Sequence, residues 1–318
     1  MNKANNNLDI RDAYFDRIYE LAVNDHEIIF ISADTDAFSL RKFRNDMPKQ
    51  YINIGVAEQN MVSISAGLGM MGKKVYIYSI ISFTVYRCYE FIKNNICAMN
   101  VPVTIVGLGA GLSFSNDGPT HHAMQDIGLM RTLPNMNIYN PCDENSALWA
   151  ADETYECKNP SFIRIDKGQY PAVYNKKSEI NNGLKIIEPL TEINIISTGT
   201  ITHKCKDVIK IIERNRNINI GLIDLFRIKP INQKLLLSLL MKTKIIITIE
   251  ENSIIGGIGS IISNILIDNS LNDITLKKIA LEDQQYFLYG DREYIYERVG
   301  LDEKSITQRI YSIISNNN

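Results

Sequence analysis

The sequence is poor in the residues that metal and redox sites are built from, with four histidines and five cysteines in 318 residues. Cys88, Cys97, Cys142, Cys157 and Cys205 are scattered with no Cys-x-x-Cys pair, which argues against a zinc ribbon and a disulfide framework. That usage fits a reducing cytoplasm. Neither sign of charge is in excess: 34 Lys and Arg against 36 Asp and Glu leave a net charge of -2, no field for nucleic acid or an anionic membrane. No apolar run reaches the roughly 20 residues that span a bilayer. The Asn-rich start, Met1–Leu8, lacks the apolar centre of a signal peptide. There is no internal repeat or long low-complexity tract, and the closing asparagines are expected to fray. What is present is an ordinary globular composition, 45% hydrophobic and 22% charged, for which small-molecule chemistry is the first expectation.

Apolar runs of about five residues alternate with amphipathic stretches of about ten to sixteen, the pattern of strands and crossover helices in a parallel sheet. The expected fold class is α/β. Asp9 is placed to cap a first helix with Ala13, Ile18, Leu21 and Ala22 inward. Strands are expected at Ile28–Ile31, Val75–Tyr78, Val103–Val106, Met136–Tyr139 and Phe162–Ile165. Helices near Glu58–Met70, Val85–Met99 and Glu144–Glu156 complete a doubly wound, parallel-sheet domain over residues 1–174. Residues 175–192 turn polar around Gly183 and Pro189 and are expected to be the linker to a smaller α/β domain over 193–318. In that domain strands at Ile193–Ser197, Ile218–Leu222, Ile245–Glu250 and Ile274–Ile279 alternate with helices at His203–Asn215, Asn232–Leu240, Ile258–Ile267 and Glu303–Ile314.

Tyr51-Ile-Asn-Ile-Gly-Val-Ala-Glu-Gln-Asn-Met-Val62 carries a short strand into a helix and drops Glu58 into that helix's first turn. An acidic residue there complements the helix dipole without any further role. The apolar flanks Val56, Ala57 and Met61 would bury it, however, and a buried carboxyl needs a partner. Asn116-Asp-Gly-Pro-Thr-His-His122 follows a strand and precedes a helix, so it falls beyond a strand's carboxyl end, where open parallel sheets bind ligands. A surface turn is the alternative, and two adjacent histidines out of four weigh against it. Phe83 and Tyr86 stand at i, i+3 in Ile80-Ile-Ser-Phe-Thr-Val-Tyr-Arg87, a spacing that serves core packing as readily as a ligand platform. Asp34 follows the first strand and is either a site carboxylate or a helix cap. Gly256-Gly-Ile-Gly259, ahead of a helix, has the form of an anion cradle.

Asn-Ile-Gly-Val-Ala-Glu-Gln followed by Asp-Gly-Pro-Thr-His, in this order, spacing and α/β context, resembles the pyrimidine-binding domain of transketolases. The likeness runs on through Met130-Arg-Thr-Leu-Pro-Asn135 and Asn140-Pro-Cys-Asp143 to Ile249-Glu-Glu-Asn-Ser253 and Gly256-Gly-Ile-Gly259, so it covers nearly the whole chain. The resemblance implies thiamine diphosphate as cofactor. Glu58 would then bond the aminopyrimidine ring and favour the imino tautomer that removes the thiazolium proton. By the same resemblance Phe83 lies against the pyrimidine face with Tyr86 nearby, and Asp34 lies near the thiazolium. His121 would meet a hydroxyl or carbonyl oxygen of the sugar, and Asp117 a neighbouring hydroxyl. Arg11 and Lys167 would meet a substrate phosphate. Lys167 stands where the family has arginine, which exchanges a bidentate fork for a point charge.

Two departures from the family pattern matter. Transketolases carry a histidine after the strand that precedes the Asp-Gly-Pro-Thr-His loop, whereas this chain runs Gly107-Leu-Gly-Ala-Gly111. Either backbone amides replace that donor, or the pocket takes a bulkier or less phosphorylated sugar. The second departure is the missing metal motif, a Gly-Asp-Gly turn with a downstream Asn pair. Gly290-Asp291-Arg292 replaces the third glycine, and Asn316 and Asn317 fall in a polar tail. The resemblance therefore implies the C-terminal, or beta, subunit of a split transketolase, moving a two-carbon ketol unit from a ketose to an aldose, as free sugars or sugar phosphates. An N-terminal subunit would carry Gly-Asp-Gly, the Asn pair and the divalent metal, Mg2+ or Ca2+, in an α2β2 heterotetramer with a beta–beta contact and active sites between subunits. The competing readings are the beta subunit of a 2-oxoacid dehydrogenase, against which Asp-Gly-Pro-Thr-His argues, and a non-catalytic dimerisation or regulatory subunit of the same fold. The donor and acceptor sugars stay open at this level.

Overall fold

The computed structural model describes residues 8–316; the residues before Leu8 and the last two asparagines lie outside the described residues. One sheet collects β1 (Ile28–Ser32), β2 (Tyr51–Asn53), β3 (Lys74–Ile80), β4 (Val103–Leu108), β5 (Asn137–Tyr139) and β6 (Ser161–Ile165). A second takes β7 (Lys185–Glu188), β8 (Ile193–Ser197) and β9 (Gly221–Asp224). The chain then crosses back to place β10 (Arg227–Lys229) in the first sheet before adding β11 (Ile245–Ser253) and β12 (Thr275–Leu281) to the second. The orders are β10-β5-β6-β4-β3-β1-β2 and β12-β11-β8-β9-β7. The edge strands β10 and β7 run antiparallel to their neighbours, and the other pairings are parallel.

The parallel arrangement follows from strands that are apolar on both sides. Ile29, Ile31, Val75, Ile77, Val103 and Ile105 turn to one face of the first sheet. Ile28, Phe30, Tyr76, Tyr78, Val106 and Leu108 turn to the other, as the two-residue period requires. The first face is continuous with residues of the second sheet, among them Ile196, Ile223 and Ile246, so one apolar layer joins the two sheets. Residues 175–192 hold a short 3-10 turn at Lys177–Ile180 as well as β7.

Helices fill the crossovers: α1 (Ile10–Asn24), α2 (Phe38–Asp46), α3 (Glu58–Met70), the single turn α4 (Tyr89–Phe91), α5 (Asp126–Thr132), α6 (Glu144–Glu156), α7 (Ile201–Arg216), α8 (Gln233–Leu239), α9 (Ile258–Asp268), α10 (Arg292–Val299) and α11 (Glu303–Ser315). Asp9 caps α1 by accepting from the Arg11 amide at 3.0 Å. The regular helix expected at Val85–Met99 is instead a π-helical turn at Ser82–Tyr86, α4, and a second π turn at Ile92–Cys97. Its cause lies in the tertiary structure. Ser82 Oγ donates to the His122 carbonyl at 3.2 Å, and the Tyr86 hydroxyl accepts from the Gln125 amide at 3.0 Å, so both ends of the first π turn are tied to one loop. Wide turns of this kind are rare and frequently fall at functional sites.

Strand register sets the site. Ser32 lies opposite Asn53 and Tyr78, Ile80 opposite Leu108, and Leu108 opposite Ile165. The loops that leave β1, β2, β3, β4 and β6 therefore share one edge of the sheet, at the strands' carboxyl ends.

Candidate active site

Each loop along that edge delivers residues singled out in the sequence. Gly55, at φ +72, turns the chain out of β2, and Glu58 follows as the first residue of α3, only 2% exposed. Its partner is Arg87, whose Nη1 lies 2.8 Å from Glu58 Oε2. The same guanidinium lies over the Phe83 ring, 5.1 Å from its centroid. Arg87 escaped the sequence reading as a site residue, although it ends the quoted Ile80–Arg87 stretch and Glu58 was in need of a partner. Tyr86 is half-buried; its hydroxyl holds the Gln125 amide, and burial pushes its pKa up.

The loop after β4 is pinched at its base by reciprocal backbone bonds between Gly111 and Ala123, 2.8 and 3.1 Å long. It carries His121, whose ring meets Phe83 edge-on at 5.0 Å and Phe114 at 5.9 Å, while its Nδ1 lies 3.0 Å from Thr120 Oγ1. Lys167, after β6, places its Nζ 4.4 Å from the Phe114 centroid. The structure thus assembles a continuous line, Glu58–Arg87–Phe83–His121–Phe114–Lys167, from four loops distant in sequence. Phe114 had no signal in the sequence that set it apart.

Three other expected residues stand beside this line. Asp117 is exposed on the His121 loop, its amide bonded to the Phe114 carbonyl at 3.1 Å. Asp34 caps no helix: it sits at φ +54 after β1 and exchanges bonds with the Asn53 side chain at 3.1 Å in each direction. Arg11 is half-buried at the start of α1, with Asp12 3.4 Å and Asp9 3.9 Å away. Its carboxylate neighbours set it apart from Lys167, which pairs with no carboxylate among the described residues. His122 points inward, 2% exposed and with neither ring nitrogen hydrogen-bonded; burial and then the His121 charge push its pKa down.

The profile of the transketolase pyrimidine-binding domain matches residues 6–173, and that of the transketolase C-terminal domain matches residues 183–306. The chain belongs to the transketolase family. It is 31% identical over 307 residues to an apulose-4-phosphate transketolase subunit of Phocaeicola vulgatus, covering 95% of this chain and 96% of that protein. A putative transketolase C-terminal section of Methanocaldococcus jannaschii is 29% identical over 307 residues, covering 95% of each. Among solved structures, a split-gene transketolase described as an inactive beta4 tetramer superimposes with a TM-score of 0.84 at 27% identity, over 96% of this chain and 98% of that one. A transketolase of Pichia stipitis shares the fold, with a TM-score of 0.83 at 18% identity over 98% of this chain and 46% of its own. The 2-oxoacid dehydrogenase alternative thus gives way to the transketolase reading.

Within this transketolase chain two other motifs acquire definite structural roles. Gly256-Gly-Ile-Gly259 is occupied from within the chain: the Ile258 and Gly259 amides at the start of α9 donate to the Glu250 carboxyl at 2.8 and 2.9 Å. A Cβ on Gly257 would fall 2.0 Å from Glu250 Oε2. Gly290-Asp291-Arg292 serves as a helix cap and a clamp. Asp291 accepts from the Tyr294 amide at 2.9 Å, and Arg292 is paired with Asp166 at 2.7 Å and with Glu251. Glu251 Oε1 also accepts from the Leu112 amide at 2.7 Å, which ties the base of the His121 loop to β11. Among the described residues no three His, Cys, Asp or Glu side chains cluster as a metal-holding group, and no helix is long and apolar enough to cross a membrane.

Proposed function

We propose that this chain is the C-terminal subunit of a split transketolase and that the line from Glu58 to Lys167 is its share of a thiamine diphosphate site. The observation that carries the reading is the placement of Arg87. A flat guanidinium is hydrogen-bonded to Glu58 and lies over Phe83, so a carboxyl and an aromatic face are presented to one flat nitrogen-bearing group, the pair of surfaces an aminopyrimidine ring would need. When bound, thiamine diphosphate supplies a nucleophilic carbon and an electron sink for cleaving the bond beside a ketone.

Glu58, itself buried at the start of α3, would share a proton with the ring nitrogen; of the apolar flanks expected to cover it Met61 is buried, whereas Val56 stands exposed. Phe83 and Tyr86 face the ring, with Asp34 at the same sheet edge. His121, presented toward the middle of the line, contacts a sugar oxygen, and Asp117 on the same loop reads a neighbouring hydroxyl. Lys167, and more remotely Arg11, meet an anionic group on the sugar. Two-carbon ketol transfer between a ketose and an aldose is the reaction this set serves.

The partner is a separate subunit that carries the Gly-Asp-Gly turn, the Asn pair and a divalent metal, in an α2β2 assembly with a beta–beta contact. Five free cysteines, four of them buried, suit a cytoplasmic setting. The test is Glu58→Gln in the complex reconstituted with the N-terminal subunit, thiamine diphosphate and Mg2+. Ketol transfer is expected to fall by about 10²–10⁴-fold, the usual contribution of a positioned acid–base group, with unfolding little changed. Full activity in that variant would favour the non-catalytic subunit reading.

A further inference from the structure

The stretch Gly107-Leu-Gly-Ala-Gly111 carries no polar side chain, and at Gly109 an aromatic ring fills the space a side chain would take. Gly109 sits at φ +92, a backbone conformation that side-chain-bearing residues rarely adopt, and a Cβ on it would fall 2.2 Å from Phe114 Cδ2. Leu108 and Ala110 on either side are buried in the core. The Cδ2–Cε2 edge of Phe114 therefore takes the room that a donor side chain would need. The same ring lies 5.9 Å from the His121 ring, tilted by 54°, and carries the Lys167 ammonium 4.4 Å above its centroid. Hydrocarbon thus separates the two polar groups proposed to hold the sugar. Lys167, held by an aromatic face and by no carboxylate among the described residues, keeps its charge available for an incoming anion.

We propose that Phe114 is a specificity-determining residue, one that offers hydrocarbon where a donor would read a hydroxyl and that poises Lys167 for an anionic end group. The matching substrate class is a sugar with an anionic terminus toward Lys167 and a carbon that presents C–H, by deoxygenation or by epimeric configuration, toward Phe114. A hydroxyl pressed against that ring loses its water partners and gains none, whereas C–H against an aromatic face keeps its contacts. Apolar walls discriminate against an added hydroxyl by up to about 100-fold.

This inference rests on the ketol-transfer reading, and the experiment separates the two. In the complex reconstituted with thiamine diphosphate and Mg2+, kcat and KM are measured for a ketose phosphate, its deoxy analogue and its unphosphorylated parent. The wild-type, Phe114→His and Phe114→Leu subunits are compared. Phe114→His restores a donor and should shift the kcat/KM ratio of hydroxylated to deoxy substrate by about tenfold or more toward the hydroxylated one. Phe114→Leu keeps apolar bulk but removes the π face. It should raise KM for the phosphorylated ketose about 3–10-fold, more than for the parent sugar, the range of one cation–π contact. If both variants transfer ketol units with wild-type ratios, the role of Phe114 is refuted while the transketolase reading stands. If no ketose serves the wild-type complex at all, both fall.

Discussion

At the residue scale, the pair Glu58–Arg87 decides how a carboxylate survives burial beside an aromatic ring. Arg87→Met would leave a carboxylate that is 2% exposed without its 2.8 Å partner. Because the arginine is itself nearly half exposed, the expected loss is at the low end of the range for an unpaired buried group, about 1–3 kcal/mol. It should be read as a lower urea midpoint at unchanged slope. Gly109→Ala is expected to destabilise by a similar amount, about 1–3 kcal/mol for a strained backbone, since φ there is +92 and the added methyl meets Phe114. The Glu58 motif and the His121 loop were legible as residue strings because their chemistry is local to a few positions. Arg87 and Phe114 were not, because each takes its role only through a neighbour brought in by the fold.

At the element scale, the start of α9 is a pH-sensitive cap. Burial first of all pushes Glu250 from its ordinary 4.5 up to about 7, despite the two amides it accepts from. Asp224 behaves alike, raised by burial from 3.8 to about 7 while it accepts from Tyr174 and Thr202. The folded chain then keeps protons that the unfolded chain has released. Stability from these groups is complete below their unfolded values, declines as pH climbs to about 7, and is flat above. Asp166 works the other way: burial pushes it up, but Arg292 and its hydroxyl partners outweigh burial and hold it below 3.8, outside this window. His122 and His203, which burial pushes below their ordinary 6.5, oppose this trend over the same range. The measurement is therefore a difference: Glu250→Gln should lower the pH 5 denaturation midpoint relative to the pH 8 one, compared with the wild type. An equal difference in the variant would mean that Glu250 does not titrate in this range.

At the scale of the whole molecule, Arg292 is the clamp between the two sheets. It joins Asp166, at the end of β6, to Glu251 in β11, and these carboxylates are 1% and 3% exposed. Arg292→Met would leave both buried and unpaired, and breaking such a pair costs about 3–5 kcal/mol. A lower thermal midpoint, with looser packing of the His121 loop through Glu251, is the expected result. The site line also faces outward along one sheet edge, which fits a site completed by another subunit. Purified alone the chain should transfer no ketol units, and addition of the N-terminal subunit with cofactor and metal should restore transfer; activity of the chain by itself would contradict the split assembly.

The sequence by itself determined the α/β class, most strand positions and two motifs on the site edge, because strand apolarity and loop chemistry are written within a few residues of each other. It also carried the family, through motifs whose order and separation are properties of the chain. Only the tertiary structure decided which carboxylate meets which cation, that Val85–Met99 breaks into π turns tied to the His121 loop, and that Gly256-Gly-Ile-Gly259 serves an internal glutamate. Those outcomes depend on register between strands far apart in sequence, and register is fixed by packing across the whole sheet rather than by any one segment.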